Sequence, residues 1–141
     1  MASPTAKLEL DTHAPPGAVL EVTVVNTFGM LRVQHHDLPP LFAGKIAAVL
    51  AREYTRDRDL YDLAWYLSRS EPLEPNAVLL GSALLQTAPR LVDEAVSDWR
   101  LALRRRLAEV NWADARRDVE QFLANPRDLE LVDAEIFKNL L

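Results

Sequence analysis

Lys45, Arg52, Arg58, Asp59 and Asp62 fall within the stretch KIAAVLAREYTRDRDLYDLAWYL, among Ala, Leu, Val, Tyr and Trp residues. Cations set beside carboxylates can do two kinds of work. They can form a wall for phosphates, with Lys45 and Arg52 binding anionic oxygens and Asp59 or Asp62 orienting them. They can also be an interhelical ion-pair set that holds a helical hairpin, with Arg56 and Arg58 in solvent. On a helix Lys45 and Arg52 are two turns apart and project from nearly the same side. Asp59 and Asp62, three residues apart, are neighbours on the next helix. The spacing by itself leaves both readings open.

The elements that must carry these residues follow from the hydrophobic period. KLELDT (7–12) alternates, with Leu8 and Leu10 on one side and Lys7, Glu9 and Asp11 on the other, as in a strand. HAPPG then breaks the chain. AVLEVTVVNT (18–27) alternates around Leu20, Val22 and Val24, and MLRVQHH (30–36) follows an FG turn as its hairpin partner. From residue 38 the period becomes helical. LPPLFAGKIAAVLAREY places Leu38, Phe42, Ile46, Val49 and Leu50 on one stripe, with prolines suited to a first turn. Further helices are expected over RDLYDLAWYLSRS, AVLLGSALLQT, Leu91–Val110, NWADARRDVEQFLAN and DAEIFKNLL. The expected fold is α+β within one domain, residues 1–141: a short antiparallel β portion of three strands (1–37) and a helical bundle (38–141).

Composition narrows the function classes. Of the 141 residues 49% are hydrophobic and 26% charged, the mix of a globular chain. The net charge of −5 argues against a broad nucleic-acid footprint. There is no cysteine, hence no disulfide or thiolate site, which fits a reducing cytoplasm. No signal peptide and no membrane-spanning run is expected. Other motifs are weaker. His35-His36 lacks a third ligand at metal spacing. RLALRRRL (100–107) reads as a solvated face balanced by Asp93, Glu94 and Asp98, more than as an RNA-facing patch. Trp99 and Trp112 read as core. Nucleophile-elbow, P-loop and HExxH motifs do not occur.

The run LPPLFAGKIAAVLAREYTRDRDLYDLAWYL resembles the signature of the AbiEii/AbiGii-type nucleotidyltransferase toxin family of abortive-infection systems: a helix Lys (Lys45), an Arg seven residues on (Arg52), then Arg-Asp (Arg58–Asp59) and a second Asp (Asp62) among aromatics. KLELDTHAPPG is similar to that family's Lys-x-Glu-x-Asp strand and Pro-Pro turn, and DVEQFLANPRDLELVD to its helical end. The resemblance implies nucleotidyl transfer from a nucleoside triphosphate, with RNA as an acceptor, two Mg²⁺ ions and an antitoxin partner. It puts Asp11 at the metals with Glu9 beside it, and Lys45 and Asp59 with these two as catalytic residues. It puts Lys7, Lys45, Arg52, Arg58 and Asp62 on the nucleotide phosphates. The family's metal-binding Dx[DE] pair follows a Gly-Ser motif. Here Asp57-Arg58-Asp59 and Gly81-Ser82 occur in the reverse order, on helices, and read as coincidences. The expectation is therefore a C-terminal part of such an enzyme. Alone it would be inactive and hold no cofactor, and a missing N-terminal half would supply the metal pair. The rival expectation is a non-catalytic assembly module, a homodimer or partner subunit, that keeps the fold.

Overall fold

The structure, a computed structural model, describes residues 7–53 and 57–141. Two strands, β1 (Leu20–Val25) and β2 (Leu31–His36), form an antiparallel hairpin with Leu20 opposite His36 and Val25 opposite Leu31. Among the described residues seven helices follow: α1 (Leu38–Ala51), α2 (Asp57–Leu67), α3 (Ala77–Thr87), α4 (Val92–Ser97), α5 (Trp99–Leu107), α6 (Trp112–Glu120) and α7 (Ala134–Leu140). Short 3₁₀ turns at Pro89–Leu91 and Pro126–Leu131 complete the helical region. The α+β class and the order of its two parts are as the sequence predicts.

Two expected elements differ. KLELDT is not a strand: Leu8 is 95% exposed and Leu10 87%. Alternation supplies a face but no partner for the backbone N–H and C=O groups, and among the described residues β1 and β2 pair only with each other. The helix expected over Leu91–Val110 is divided into α4 and α5 at Asp98, whose backbone leaves the helical region (φ −148°, ψ 85°) and whose carboxylate accepts the Leu101 N–H at 2.9 Å. An aspartate at that point caps a new helix better than it continues an old one.

The remaining helix ends are equally local in origin. Asp37 accepts the Leu38 N–H at 2.7 Å, and Pro39 and Pro40 fill the first turn of α1, where no amide is needed. Asn76 accepts the Leu79 N–H at 2.9 Å to start α3. The far end of α1 is closed from a distance. Arg106 of α5 donates to the carbonyls of Val49 (3.2 Å), Arg52 (2.7 Å) and Glu53 (3.1 Å), satisfying oxygens that the helix leaves without partners.

Among the described residues the core lies in the helical region, with Val132 joining it from the turn before α7. α1 packs against α2, α3 and α5, burying Phe42, Ile46 and Val49 with Leu60, Leu63, Leu80, Leu84 and Leu103. Phe42 stacks on Tyr66 at 5.2 Å and meets Trp99 edge-on at 5.2 Å. Trp99 is core, as expected, and Trp112 packs against its edge beside Phe137 at 5.3 Å. Phe122, within the stretch NWADARRDVEQFLAN where a helix is expected, lies beyond the end of α6 and is exposed. Among the described residues no helix is long and apolar enough to cross a membrane.

Candidate functional site

α1 and α2 face each other through the charges singled out above. Asp59, in the first turn of α2, is 6% exposed and the one buried charged residue among those described. Its Oδ1 accepts the Lys45 ammonium at 2.8 Å, and its Oδ2 is bonded by Arg52, the residue that ends α1. Lys45 also reaches Asp62 Oδ2, at 2.8 Å. The two-turn spacing of Lys45 and Arg52 thus brackets one buried carboxylate, while the three-residue step from Asp59 to Asp62 lets Lys45 touch both. Partial burial disfavours the Lys45 ammonium. Hydrogen bonds to Asp59 and Asp62, with their charges, outweigh that and hold its pKa above the ordinary lysine value.

The ion-pair cluster opens onto a cleft of about 460 Å³ lined by Leu41, Lys45, Tyr61, Asp62, Trp65 and Tyr66. Tyr61 donates its hydroxyl to Asp128 Oδ2 at 3.3 Å. Desolvation and the nearby Asp128 and Asp62 carboxylates raise its pKa. Trp65 meets Tyr66 edge-on at 5.0 Å and is 47% exposed. Sequence reasoning noted these aromatics as neighbours of the charges but did not assign them to the site. The signal was present: Tyr61, Asp62, Trp65 and Tyr66 recur at intervals of three and four, one face of α2.

Other expected site residues lie elsewhere. Arg58 is exposed, with its guanidinium 5.4 Å from the Phe122 ring centre. Lys7 pairs with Glu9, both largely in solvent. Asp11 accepts the His13 N–H at 2.8 Å. These contacts are local, and none joins Lys7, Glu9 or Asp11 to the α1–α2 cluster.

Among the described residues no three His, Asp or Glu side chains gather as a metal site. Where two carboxylates do converge, Asp59 and Asp62, the Lys45 ammonium stands between them. These two carboxylates as arranged do not fit a two-Mg²⁺ centre.

The lesser motifs resolve locally. His35 bonds Thr23 across the hairpin at 2.6 Å and the His36 carbonyl at 2.8 Å. Ser82 donates to the Val78 carbonyl inside α3, and Gly81 faces Val96 of α4, so Gly81-Ser82 is helix packing. Within RLALRRRL, Arg100 pairs with Glu74, Arg105 with Glu94 and Arg106 with Glu109. Of the balancing acids expected, Glu94 serves, while Asp98 is occupied as a helix cap.

These features define an α+β protein whose two leading helices are locked by a half-buried Lys–Arg–Asp–Asp cluster beside an aromatic cleft. The family model described as "Nucleotidyl transferase AbiEii toxin, Type IV TA system" matches residues 2–134, and the chain belongs to that family. Membership brings, at the level of the family, a nucleotide substrate and an antitoxin counterpart. No curated protein and no solved structure matches the chain.

Proposed function

We propose that the chain is the nucleotide-holding part of a nucleotidyltransferase toxin, with the triphosphate of a nucleoside triphosphate taken up at Lys45 in the α1–α2 cleft. The observation that carries this reading is the two-sided contact of Lys45. Asp59 is buried and fixes the ammonium, whereas Asp62 is about half exposed. An exposed ion pair is worth about 1 kcal/mol or less, so an incoming phosphate can take the place of Asp62 while Asp59 and Arg52 keep Lys45 in position. Asp59 is on this reading a positioning residue, and Lys45 the group that touches phosphate. Arg52, about two-fifths exposed, is a second cation for the same anion.

The carboxylate pair that would hold Mg²⁺ belongs, on this reading, to a partner half, with which Asp11 and Glu9 would be brought into use. The chain alone binds but does not transfer, and RNA is the acceptor we favour for the assembled enzyme. Calorimetric titration with nucleoside triphosphates, with and without Mg²⁺, tests this. Saturable binding that is lost in Lys45→Ala and kept in Asp62→Asn is expected. Absence of saturable binding to the wild-type chain would refute the site, and transfer of labelled nucleotide to RNA by the chain alone would refute the division of labour.

A specific observation also favours the assembly-module reading. Leu20, Val22 and Val24 lie along one face of the hairpin and are each about half exposed, and both hairpin edges are unpaired among the described residues. Such a surface suits a second copy or a partner subunit. Light scattering decides: a chain that stays monomeric at high concentration removes the homodimer.

A further inference from the structure

We propose that Trp65 is a stacking shelf for the nucleobase, so that the cleft reads a nucleotide from both ends: phosphates at Lys45 and base on the indole. This rests on the triphosphate site proposed above and assigns the part of the cleft which that reading leaves unused. A tryptophan 47% exposed at the wall of a cleft is a large apolar surface left in water. Its ring is nevertheless held in place. Tyr66 meets it edge-on at 5.0 Å and 81°, and Tyr66 is itself stacked on the buried Phe42 at 5.2 Å. The Arg69 guanidinium lies over the indole, 5.1 Å from its centre, and Arg69 is not among the residues that line the cleft.

A pre-positioned, half-exposed indole is what base stacking needs, because little side-chain freedom is left to lose on binding. The Lys45 ammonium bonds the Asp62 carboxylate, an acceptor for sugar hydroxyls, and Trp65 stands one helical turn beyond Asp62 on α2, so a nucleotide can meet the three with its phosphate, sugar and base. A cleft of about 460 Å³ is within the range of small-molecule sites, roughly 300–1,000 Å³. Every base offers a π-face, so the shelf gives affinity without choosing among bases.

The test compares ATP with inorganic tripolyphosphate, which carries the anion without a base, by calorimetry and tryptophan fluorescence. The expected result is that ATP binds more tightly than tripolyphosphate and quenches fluorescence. Trp65→Ala should weaken ATP by about 5- to 150-fold, the range for loss of one stacked base, and leave tripolyphosphate unchanged. Trp65→Phe should keep ATP binding by calorimetry but lose most of the quenching, which a merely structural tryptophan would not do. Equal binding of ATP and tripolyphosphate, or unaltered ATP binding by Trp65→Ala, overturns the shelf while leaving the Lys45 site intact. If neither anion binds, the triphosphate site fails and the shelf fails with it.

Discussion

The Lys45 ammonium lies 2.8 Å from the carboxylate of Asp59, joining α1 to α2 at a point where Asp59 is shut off from solvent. This contact makes the two uses of the cluster compatible, since the residue that could meet a phosphate is held in place by one that cannot. It also sets an order of importance among the acids. Asp59→Ala leaves two cations short of their shared partner and should destabilise the fold by about 2–4 kcal/mol. Asp62→Ala removes a half-exposed partner and should cost about 1 kcal/mol or less. Chemical denaturation of both variants checks the order, and similar losses at the two positions would contradict it.

The raised pKa of Lys45 makes stability depend on alkali. The fold favours the protonated ammonium, so this contribution is full below the ordinary lysine value, about 10.4. Above it the unfolded chain has released its proton while folded Lys45 retains it. Stability therefore declines as pH rises through that window and on through the folded value. Lys45→Met should flatten this part of the stability–pH curve.

Glu74 has the opposite dependence. Hydrogen bonding from Arg100 comes first, then from Trp99 at 2.9 Å, and these lower its pKa against the pull of desolvation. Its contribution is present above the ordinary glutamate value, about 4.3, and is lost as pH falls through the lower folded value. Glu74→Gln should remove that acid-limb slope, and the fluorescence of Trp99 should shift as its indole N–H loses a charged acceptor.

Gly17 sits at φ +107° against the start of α3, where an added Cβ would come 2.7 Å from the Leu79 nitrogen. Asn76 donates to its carbonyl at 3.2 Å, so this is where the segment bearing Glu9 and Asp11 is tied to the bundle. Gly17→Ala should cost about 1–3 kcal/mol. Gly29→Ala, at φ +118° in the hairpin turn with open space around it, meets only the conformational penalty and should cost less. Thermal unfolding of the pair measures the difference.

Much of the chain could be read without coordinates because its instructions are local. The stripe Phe42–Ile46–Val49 specified α1 and its buried face, the alternation around Val22 specified the hairpin, and the Lys45, Arg52, Asp59 and Asp62 spacing allowed an interhelical cluster without choosing between it and a wall for phosphates. What the sequence did not determine depended on neighbours. KLELDT has the alternation of a strand, but alternation does not state whether another strand is at hand to take its hydrogen bonds. Asp98 could have ridden on the face of one long helix, and its use as a cap follows from the turn between α4 and α5. Tertiary structure alone decided that Asp59 would be buried and Asp62 half exposed, although both stand on the same side of α2. The packing of α1 closes over the first turn of α2 and leaves the second open as a cleft. That difference in solvent access separates the carboxylate that holds Lys45 in place from the one that a ligand can displace.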